Sequence, residues 1–334
     1  MSRLSRLLFC FLTLIFWVDA SHAQDRAANA RAEKKLVLYH SPNVADTEKI
    51  LGGFRKKYPF IEAETYRGNG EKLMQKITTE IRAGKNLADV YLLSGFQTWL
   101  LKAMGLLLQY ASPEREKVLD ALKDSDGYWT GVYWNLEVLA YNSNLVRNSE
   151  VPRAWEDLLS PRWKAQIGLE AEDVDWYTAL LQLMGEERGK QFMRRLAAQQ
   201  PQIRTGHALL GQLVAAGEFA LAPTIRTHEA ERFKTRGAPV DWTAIEPLAP
   251  NPPISVSIAK VAPHPNVARL FTDFVLSREG QLLIHEINRN HSRSDVPQPV
   301  PRAAKIKLMT VDYDRVVRNY NRYASEYREI FGVR

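Results

Sequence analysis

The sequence predicts an α/β fold in two lobes, each built on a mainly parallel sheet. Short apolar strand patterns alternate with helical patterns from residue 36 to about residue 104, and the same alternation restarts near residue 167. Between these halves, residues 132–142 alternate in β-branched and aromatic side chains. We interpret this stretch as one strand of about ten residues that bridges the lobes. The alternative is a central strand of one large sheet.

The first 23 residues are predicted to be a signal peptide. Arg3 and Arg6 precede an apolar run over residues 7–18, and small residues at 21–23 offer a cleavage site. The run is too short to span a bilayer, which needs about 20 residues. Because the single cysteine, Cys10, lies within it, the exported chain has no thiol for a disulfide, a metal site or a nucleophile. We expect a periplasmic protein.

The charge pattern argues against nucleic acid as a partner. The formal net charge is +7. It falls to +6 when Arg3, Arg6 and Asp19 are removed with the signal peptide. The basic residues are scattered among carboxylates, and no groove-entering motif accompanies them. A protein with a modest positive charge is the simpler interpretation.

Three predicted strands of the first lobe, over residues 36–39, 61–66 and 88–93, are each followed by a helical pattern. The loops after parallel strands open on one edge of a sheet, where such folds bind ligands. The candidate ligand-binding residues in these loops are His40, Ser41, Asn43, Asn69 and Ser94. The glycines that flank Asn69 could let backbone N–H groups reach an anion. Equally, Ser41, Asn43 and Asn69 could simply cap helices.

The second lobe carries a cluster of carboxylates beside an indole. Its members are Glu170, Glu172, Asp173 and Asp175, followed by Trp176. They could hold a cation or a divalent ion, and we select Glu172, Asp175 and Trp176 as candidates. The alternative is that the carboxylates only favour a helix N-terminus. Asp175 is the member that we expect to turn inward.

Arg226 and His228 follow another predicted strand, over residues 219–224. Arg226 could clamp a carboxylate or a phosphate with its guanidinium, whereas His228 could bind a metal or titrate near neutral pH. A surface arginine and a histidine at a helix start are the alternative. Acidic and basic candidates in one lobe suggest a zwitterionic solute or a metal–anion complex.

Sequence signatures of catalysis are absent. The chain has no G-x-S-x-G elbow, no P-loop and no H-E-x-x-H motif, because Arg232 and Arg289 occupy the second histidine position after its two His-Glu pairs. We therefore expect a binding protein rather than an enzyme. An exported hydrolase is the alternative.

Seven short segments occur in order along the chain: residues 36–39 (LVLY), 88–90 (ADV), 140–142 (AYN), 155–158 (WEDL), 161–164 (PRWK), 167–168 (IG) and 277–280 (SREG). In this order and spacing they resemble the periplasmic substrate-binding proteins of ABC importers, in the branch that contains ferric-ion-binding proteins. The resemblance implies a two-lobed periplasmic binding protein fold of type 2, joined by crossing hinge strands. Lobe 1 would comprise residues 24–135 and 256–300, lobe 2 residues 136–255, and a helical tail residues 301–334.

The resemblance also implies a function. The lobes would close on a small solute by hinge motion, and the protein, a monomer without a cofactor, would deliver it to an ABC permease in the inner membrane. Ferric iron, with or without an anion, is the default ligand of the branch. A small organic ion is the main alternative, and a protein that serves a sensor is another.

The iron ligands of the branch do not carry over. In ferric-binding members, a histidine after the first strand, a glutamate after the third and an adjacent tyrosine pair hold the metal. The matching positions fall near Asn43, Ser94, Thr227 and His228. They supply neither the phenolate nor the carboxylate oxygen that hard Fe³⁺ favours. The residues that would hold a metal therefore remain unassigned.

Overall fold

The structure is a computed structural model that describes residues 28–333. The predicted signal peptide lies outside the described residues. The chain divides into two compact units, Met1–Val132 with Ser255–Leu283 and Tyr133–Ile254 with Ile284–Arg334. The predicted lobe boundaries after residues 135 and 255 compare with unit boundaries after Val132 and Ile254. Residues 284–300, which the sequence assigned to lobe 1, group with the second unit.

Strands and helices alternate along most of the chain. The strands are β1 (Lys35–His40), β2 (Glu62–Arg67), β3 (Val90–Ser94), β4 (Leu107–Leu108), β5 (Thr130–Trp134), β6 (Glu137–Asn142), β7 (Gly168–Glu170), β8 (Gln202–Arg204), β9 (Leu221–Arg226), β10 (Val240–Thr243), β11 (Ile254–Ala259) and β12 (Asn290–His291). The α-helices are α1 (28–33), α2 (Val44–Lys57), α3 (Gly70–Arg82), α4 (Gly95–Ala103), α5 (Val174–Met184), α6 (Glu186–Ala197), α7 (His207–Ala216), α8 (Thr227–Thr235), α9 (Pro265–Leu276), α10 (Arg278–Glu286), α11 (Tyr313–Arg318) and α12 (Tyr320–Phe331). Among the described residues, no helix is both long and apolar enough to cross a membrane.

The first unit is built on the parallel strands β1, β2 and β3. Strand β1 pairs in parallel with both neighbours, as the sequence predicts, and the strand order is β5-β11-β3-β1-β2. Side chains alternate across the sheet because the strand period is two. Leu36 and Leu38 are fully buried, and so is Phe54 of α2, which meets Phe271 of α9 edge-on at 5.1 Å. The carboxyl ends of the three parallel strands therefore share one edge.

The second unit combines antiparallel and parallel pairs. Strand β6 pairs antiparallel with both β9 and β10, whereas β7 pairs in parallel with β8. An isolated parallel bridge joins Ile167 to Leu221. The expectation of mainly parallel pairing thus describes β7 and β8 but not the sheet around β6.

The prediction of one long strand between the two halves was wrong. The chain leaves β5 at Trp134 and re-forms as β6 at Glu137. At the break, the Asn135 carbonyl accepts from Asn251 N at 3.0 Å and the Leu136 carbonyl accepts from Thr227 N at 3.0 Å. Every residue of both strands is buried. The alternating residues 132–142 therefore belong to two short strands, and both faces of each strand are buried.

The C-terminal helices α11 and α12 pack within the second unit. The Tyr177 ring of α5 lies 6.3 Å from that of Tyr323 and 5.9 Å from that of Tyr327. The buried Tyr327 hydroxyl donates to the Glu170 carbonyl at 2.6 Å. These aromatic side chains thus dock the predicted helical tail, which comprises the two helices α11 and α12.

Glu186 of α6 also holds the tail through ion pairs with Arg315 and Arg322, both at 2.7 Å. Its side chain is 28% exposed. Hydrogen bonds from Arg322 and Lys190 lower its pKa from 4.5 to about 2. A depressed carboxyl pKa stabilises the folded state above the unfolded pKa, and this contribution is lost as the pH falls from about 4.5 toward 2.

We predict that Glu186→Gln lowers the free energy of unfolding at pH 7 by about 1 kcal/mol or less, because partly exposed ion pairs contribute little each. The difference from wild type should shrink as the pH falls below about 4.5. Urea unfolding at pH 7 and pH 3 measures both. Glu187→Gln is the matched control, since Glu187 is exposed. An equal loss in both variants would contradict the assignment.

Candidate functional site

Two serines of the first unit meet at the shared edge of the parallel strands. Ser94 N donates to Ser41 Oγ at 3.1 Å, and Ser41 N donates to the Leu92 carbonyl at 3.1 Å. His40 lies just before them but is 2% exposed. Its Nδ1 lies 3.0 Å from Thr47 Oγ1, and burial lowers its pKa. The serines thus lie together at this edge, while His40 belongs to a buried network.

The two asparagines of this edge act as helix caps. Asn43 Oδ1 accepts from Asp46 N at 2.8 Å at the start of α2, and Asn69 Oδ1 accepts from Lys72 N at 3.0 Å at the start of α3. These bonds satisfy N–H groups that a helix start leaves free. The capping alternative therefore accounts for both residues. Their side-chain oxygens are used by the caps, which leaves only the side-chain NH₂ groups for a ligand.

The second unit contains a cluster of the buried Glu137 and Asp173 with the half-buried His207. Glu137 opens β6, Asp173 precedes α5 without making a capping hydrogen bond, and His207 opens α7. The His207 Nε2 atom lies 3.4 Å from Asp173 Oδ1 and 3.9 Å from Glu137 Oε1. One ligand atom from each residue falls within 4.8 Å of the others. Three potential metal ligands from three separate elements therefore converge.

The tautomer of His207 is set by its backbone partner. Its Nδ1 lies 2.7 Å from the Thr224 carbonyl, which can only accept, so Nδ1 carries the proton. The lone pair of Nε2 then points at the two carboxylates. Burial, followed by the charge of Arg226, lowers the pKa of His207 from 6.5 to about 3. The ring is therefore neutral at physiological pH and acts as an acceptor.

Burial raises the carboxyl pKa values in this region. The pKa of Glu137 rises to about 7 and that of Asp175 to about 6, while that of Asp173 rises well above its usual value. Desolvation is the main cause in each case, and the Arg226 charge opposes it. Asn251 donates to Glu137 Oε1 at 2.7 Å. Among the described residues, the buried Asp173 Oδ2 has no hydrogen-bond partner.

Arg226 ends β9 directly opposite Glu137 in the strand register. Its Nε atom is buried, and it has no hydrogen-bond partner among the described residues. His228 follows on α8, where the Arg289 guanidinium donates to its ring. Burial and then the charges of Arg289, Arg226 and Arg232 lower the pKa of His228 well below 6.5. The predicted pair thus lies in a region rich in guanidinium groups.

Asp175 and Trp176 line a cleft within the second unit, but Glu172 is exposed. The cleft has a volume of about 440 Å³, which includes the open solvent at its mouth. Glu137, Trp155 and Tyr313 also line it. The indoles of Trp155 and Trp176 stand 5.9 Å apart in an edge-on arrangement. A carboxylate beside two indoles suits a cationic or hydroxylated group.

Sequence reasoning missed the role of Glu137 and gave little weight to His207. The signal for Glu137 was a charged residue inside a strand of otherwise apolar and aromatic residues. A carboxylate at such a position is buried only with partners. His207 carried no local signal beyond its place at a helix start. Asp173 and Glu170, each 5% exposed, are the most buried members of the carboxylate run, and Asp175 is less buried than either.

Residues 86–317 match the family model described as "Bacterial extracellular solute-binding protein". The chain therefore belongs to this family of substrate-binding proteins. Family members bind small solutes or metal ions and deliver them to an ABC permease. The resemblance found in the sequence is confirmed at this level.

The relatives include proteins named for iron and one crystallised with a sugar phosphate. The chain is 25% identical over 312 residues to an uncharacterized protein of Haemophilus influenzae, covering 86% of this chain and 88% of the relative. Iron-bound HitA from Pseudomonas aeruginosa superimposes with a TM-score of 0.79 at 21% identity, over 89% of this chain and 99% of HitA. AfuA from Actinobacillus pleuropneumoniae, with exogenous fructose-6-phosphate bound, superimposes with a TM-score of 0.76 at 22% identity, over 90% of this chain and 99% of AfuA. These likenesses confirm the two-lobed periplasmic binding protein fold.

We predict that His207 in the metal-free protein is the neutral tautomer protonated on Nδ1, and that it does not titrate between about pH 5 and 8. Its buried bond to the Thr224 carbonyl fixes this state. Long-range ¹H–¹⁵N spectra of the histidine rings measure it, with His207→Ala to assign the signals. Protonation on Nε2, or a titration near pH 6.5, would contradict the geometry.

Proposed function

We propose that this protein binds a small organic anion in the periplasm and delivers it to an ABC permease of the inner membrane. Family membership supports the delivery role. The observation that carries the ligand class is Arg226, which has a buried Nε without a hydrogen-bond partner among the described residues. A guanidinium recognises a carboxylate or a phosphate with two parallel hydrogen bonds.

The surroundings of Arg226 support an anionic group. His228 is held neutral, and Arg289 and Arg232 add positive charge around it. A cation at this position would meet repulsion from these groups, whereas a carboxylate or a phosphate would be attracted. The family relation to AfuA, which was crystallised with fructose-6-phosphate, is compatible with this class.

The carboxylates beside Arg226 favour a solute that carries a second kind of group. Asp175 and Glu137 line the cleft together with two indoles. Hydroxyl or ammonium groups of a solute would satisfy these acceptors. The solute would then be a hydroxylated acid, a sugar phosphate or a zwitterion.

Ferric iron is the second candidate because relatives are named for it, including HitA and Iron uptake protein A1 of Synechocystis. The residues do not favour it. The positions that the resemblance matches to the iron ligands fall near Asn43, Ser94, Thr227 and His228. The asparagine caps a helix, Thr227 is buried, and the His228 ring accepts from Arg289. Hard Fe³⁺ would find no phenolate or carboxylate there.

A binding role accounts for these residues without a catalytic step. A partner that senses the loaded protein, rather than a permease, would use the same ligand site. Uptake of the identified solute by cells with and without the permease separates these two partners.

The proposal is tested by thermal unfolding of the metal-free protein with citrate, fructose-6-phosphate, inorganic phosphate, Fe³⁺ and Fe³⁺ with citrate. A ligand present at 100 times its dissociation constant stabilises the folded state by about 2.7 kcal/mol. We expect an organic anion to raise the melting temperature without iron. A rise only with Fe³⁺, alone or with citrate, would overturn the proposal in favour of iron.

We predict that Arg226→Ala weakens binding of that anion by about 30-fold or more, because the anion loses a charged hydrogen-bond partner in a buried setting. Titration calorimetry measures the affinity, and circular dichroism checks the fold. Arg236→Ala is the control, since Arg236 is an exposed arginine at the end of α8. Unchanged affinity in Arg226→Ala would place the anion elsewhere.

A further inference from the structure

We propose that Glu137, Asp173 and His207 form a binding site for a divalent transition-metal ion of the Zn²⁺ class. The proposal goes beyond the binding of an organic anion, since metal binding at these residues does not require that solute. It starts from three ligand atoms that three distant segments of the chain bring within 4.8 Å of one another.

The separations suit a small ion. Zn²⁺ binds histidine nitrogen and carboxylate oxygen at about 2.0–2.2 Å, which places tetrahedral ligand atoms about 3.3–3.5 Å apart. The distance from His207 Nε2 to Asp173 Oδ1 is 3.4 Å, and that from His207 Nε2 to Glu137 Oε1 is 3.9 Å. The Glu137 oxygen would have to move closer to His207, and its distance to the Asp173 oxygen is within the 4.8 Å that bounds all three pairs. Three protein ligands would leave a fourth position for water or for a solute oxygen.

The three groups present lone pairs to one another. The proton of His207 is on Nδ1, where it binds the Thr224 carbonyl at 2.7 Å, so Nε2 has no hydrogen to give to either carboxylate. Two carboxyl groups and an unprotonated nitrogen therefore converge, and when both carboxyl groups are ionised none of the three has a hydrogen to donate to the others. Such an arrangement needs a shared cation or protonated carboxyl groups.

Asp173 provides an independent indication of a missing ligand. Its side chain is 95% buried, as its 5% exposure shows, and its Oδ2 has no hydrogen-bond partner among the described residues. A buried carboxylate oxygen without a partner is costly. Arg226 lies opposite Glu137 in the strand register, and its charge favours the ionised form of both carboxyl groups. A bound cation would neutralise the carboxylates directly.

The neighbours of the three ligands have the form of a second coordination shell. The Thr224 carbonyl orients the His207 ring, and the Asn251 amide donates to Glu137 Oε1 at 2.7 Å. Bonds of this kind fix the tautomer and the direction of metal ligands. Because one ligand is an imidazole nitrogen, the site favours zinc-like ions over Ca²⁺ and Mg²⁺, which prefer oxygen throughout. Glu137 also lines the cleft, which offers an entry path.

The test is titration of the chelator-treated full chain with Co²⁺, followed by visible absorption, and with Zn²⁺ in competition with a chromophoric chelator. We expect one equivalent of each metal to bind and Co²⁺ to give the intense bands of a four-coordinate site. His207→Ala and Asp173→Asn should each lower the affinity for Zn²⁺ and Co²⁺ by about 10-fold to 100-fold. Ca²⁺ should not compete.

Two control variants separate this site from other histidines and from the anion site. His285→Ala removes a half-buried histidine of the same unit and should leave metal binding unchanged. Arg226→Ala should retain or strengthen it, because the variant removes a positive charge near the metal ligands. Asp173→Asn keeps the shape of the side chain, so it remains informative if His207→Ala fails to fold. Absence of stoichiometric binding, or binding that persists in both ligand variants, would overturn the proposal. Loss of anion binding in Arg226→Ala with metal binding retained would show that the two sites are independent.

Discussion

The structure of the second unit depends on the burial of one carboxylate, that of Glu137. It opens a strand in which every residue is buried, so its charge must be met by partners within the protein. Arg226 lies opposite it in the register, Asn251 donates to it, and His207 and Asp173 approach it from two other segments. Asn135 and Leu136, which separate β5 from β6, accept backbone hydrogen bonds from Asn251 and from Thr227 at the start of α8. These bonds bring both segments next to Glu137. The side-chain partners of Glu137 and the backbone hydrogen bonds beside it therefore hold the same segments together around this residue.

Local patterns in the sequence predicted the elements that local physics controls. The short strand patterns at residues 36–39 and 88–93, the helical patterns after them and the capping asparagines at positions 43 and 69 all act over a few residues. The structure has β1, β3, α2 and α3 where these patterns lie. The family resemblance then supplied the two-lobed fold, which periodicity alone could not distinguish from one large sheet.

The candidate site was less predictable because its contacts are non-local. Glu137, Asp173 and His207 are separated by more than 30 residues from one another along the chain. Their approach depends on the antiparallel register of β6 with β9 and on the parallel pair of β7 with β8. The carboxylate run at 170–175 was visible, but which member turns inward depends on the helix start. Asp173 faces His207 there, while Glu172 is exposed.

The docked tail connects the far end of the chain to this site. The Tyr327 hydroxyl binds the Glu170 carbonyl, and the Glu170 side chain accepts from Gly206 N at 2.8 Å. Gly206 has a φ of 104°, a conformation that favours glycine, and it directly precedes His207. Glu170 thus joins the end of β7 to the start of α7 through its side chain, and Tyr327 binds its backbone carbonyl. The start of α7, and with it the position of the His207 ring, is therefore held by contacts with residues that are distant in the chain. Such contacts leave no local signal in the sequence around His207.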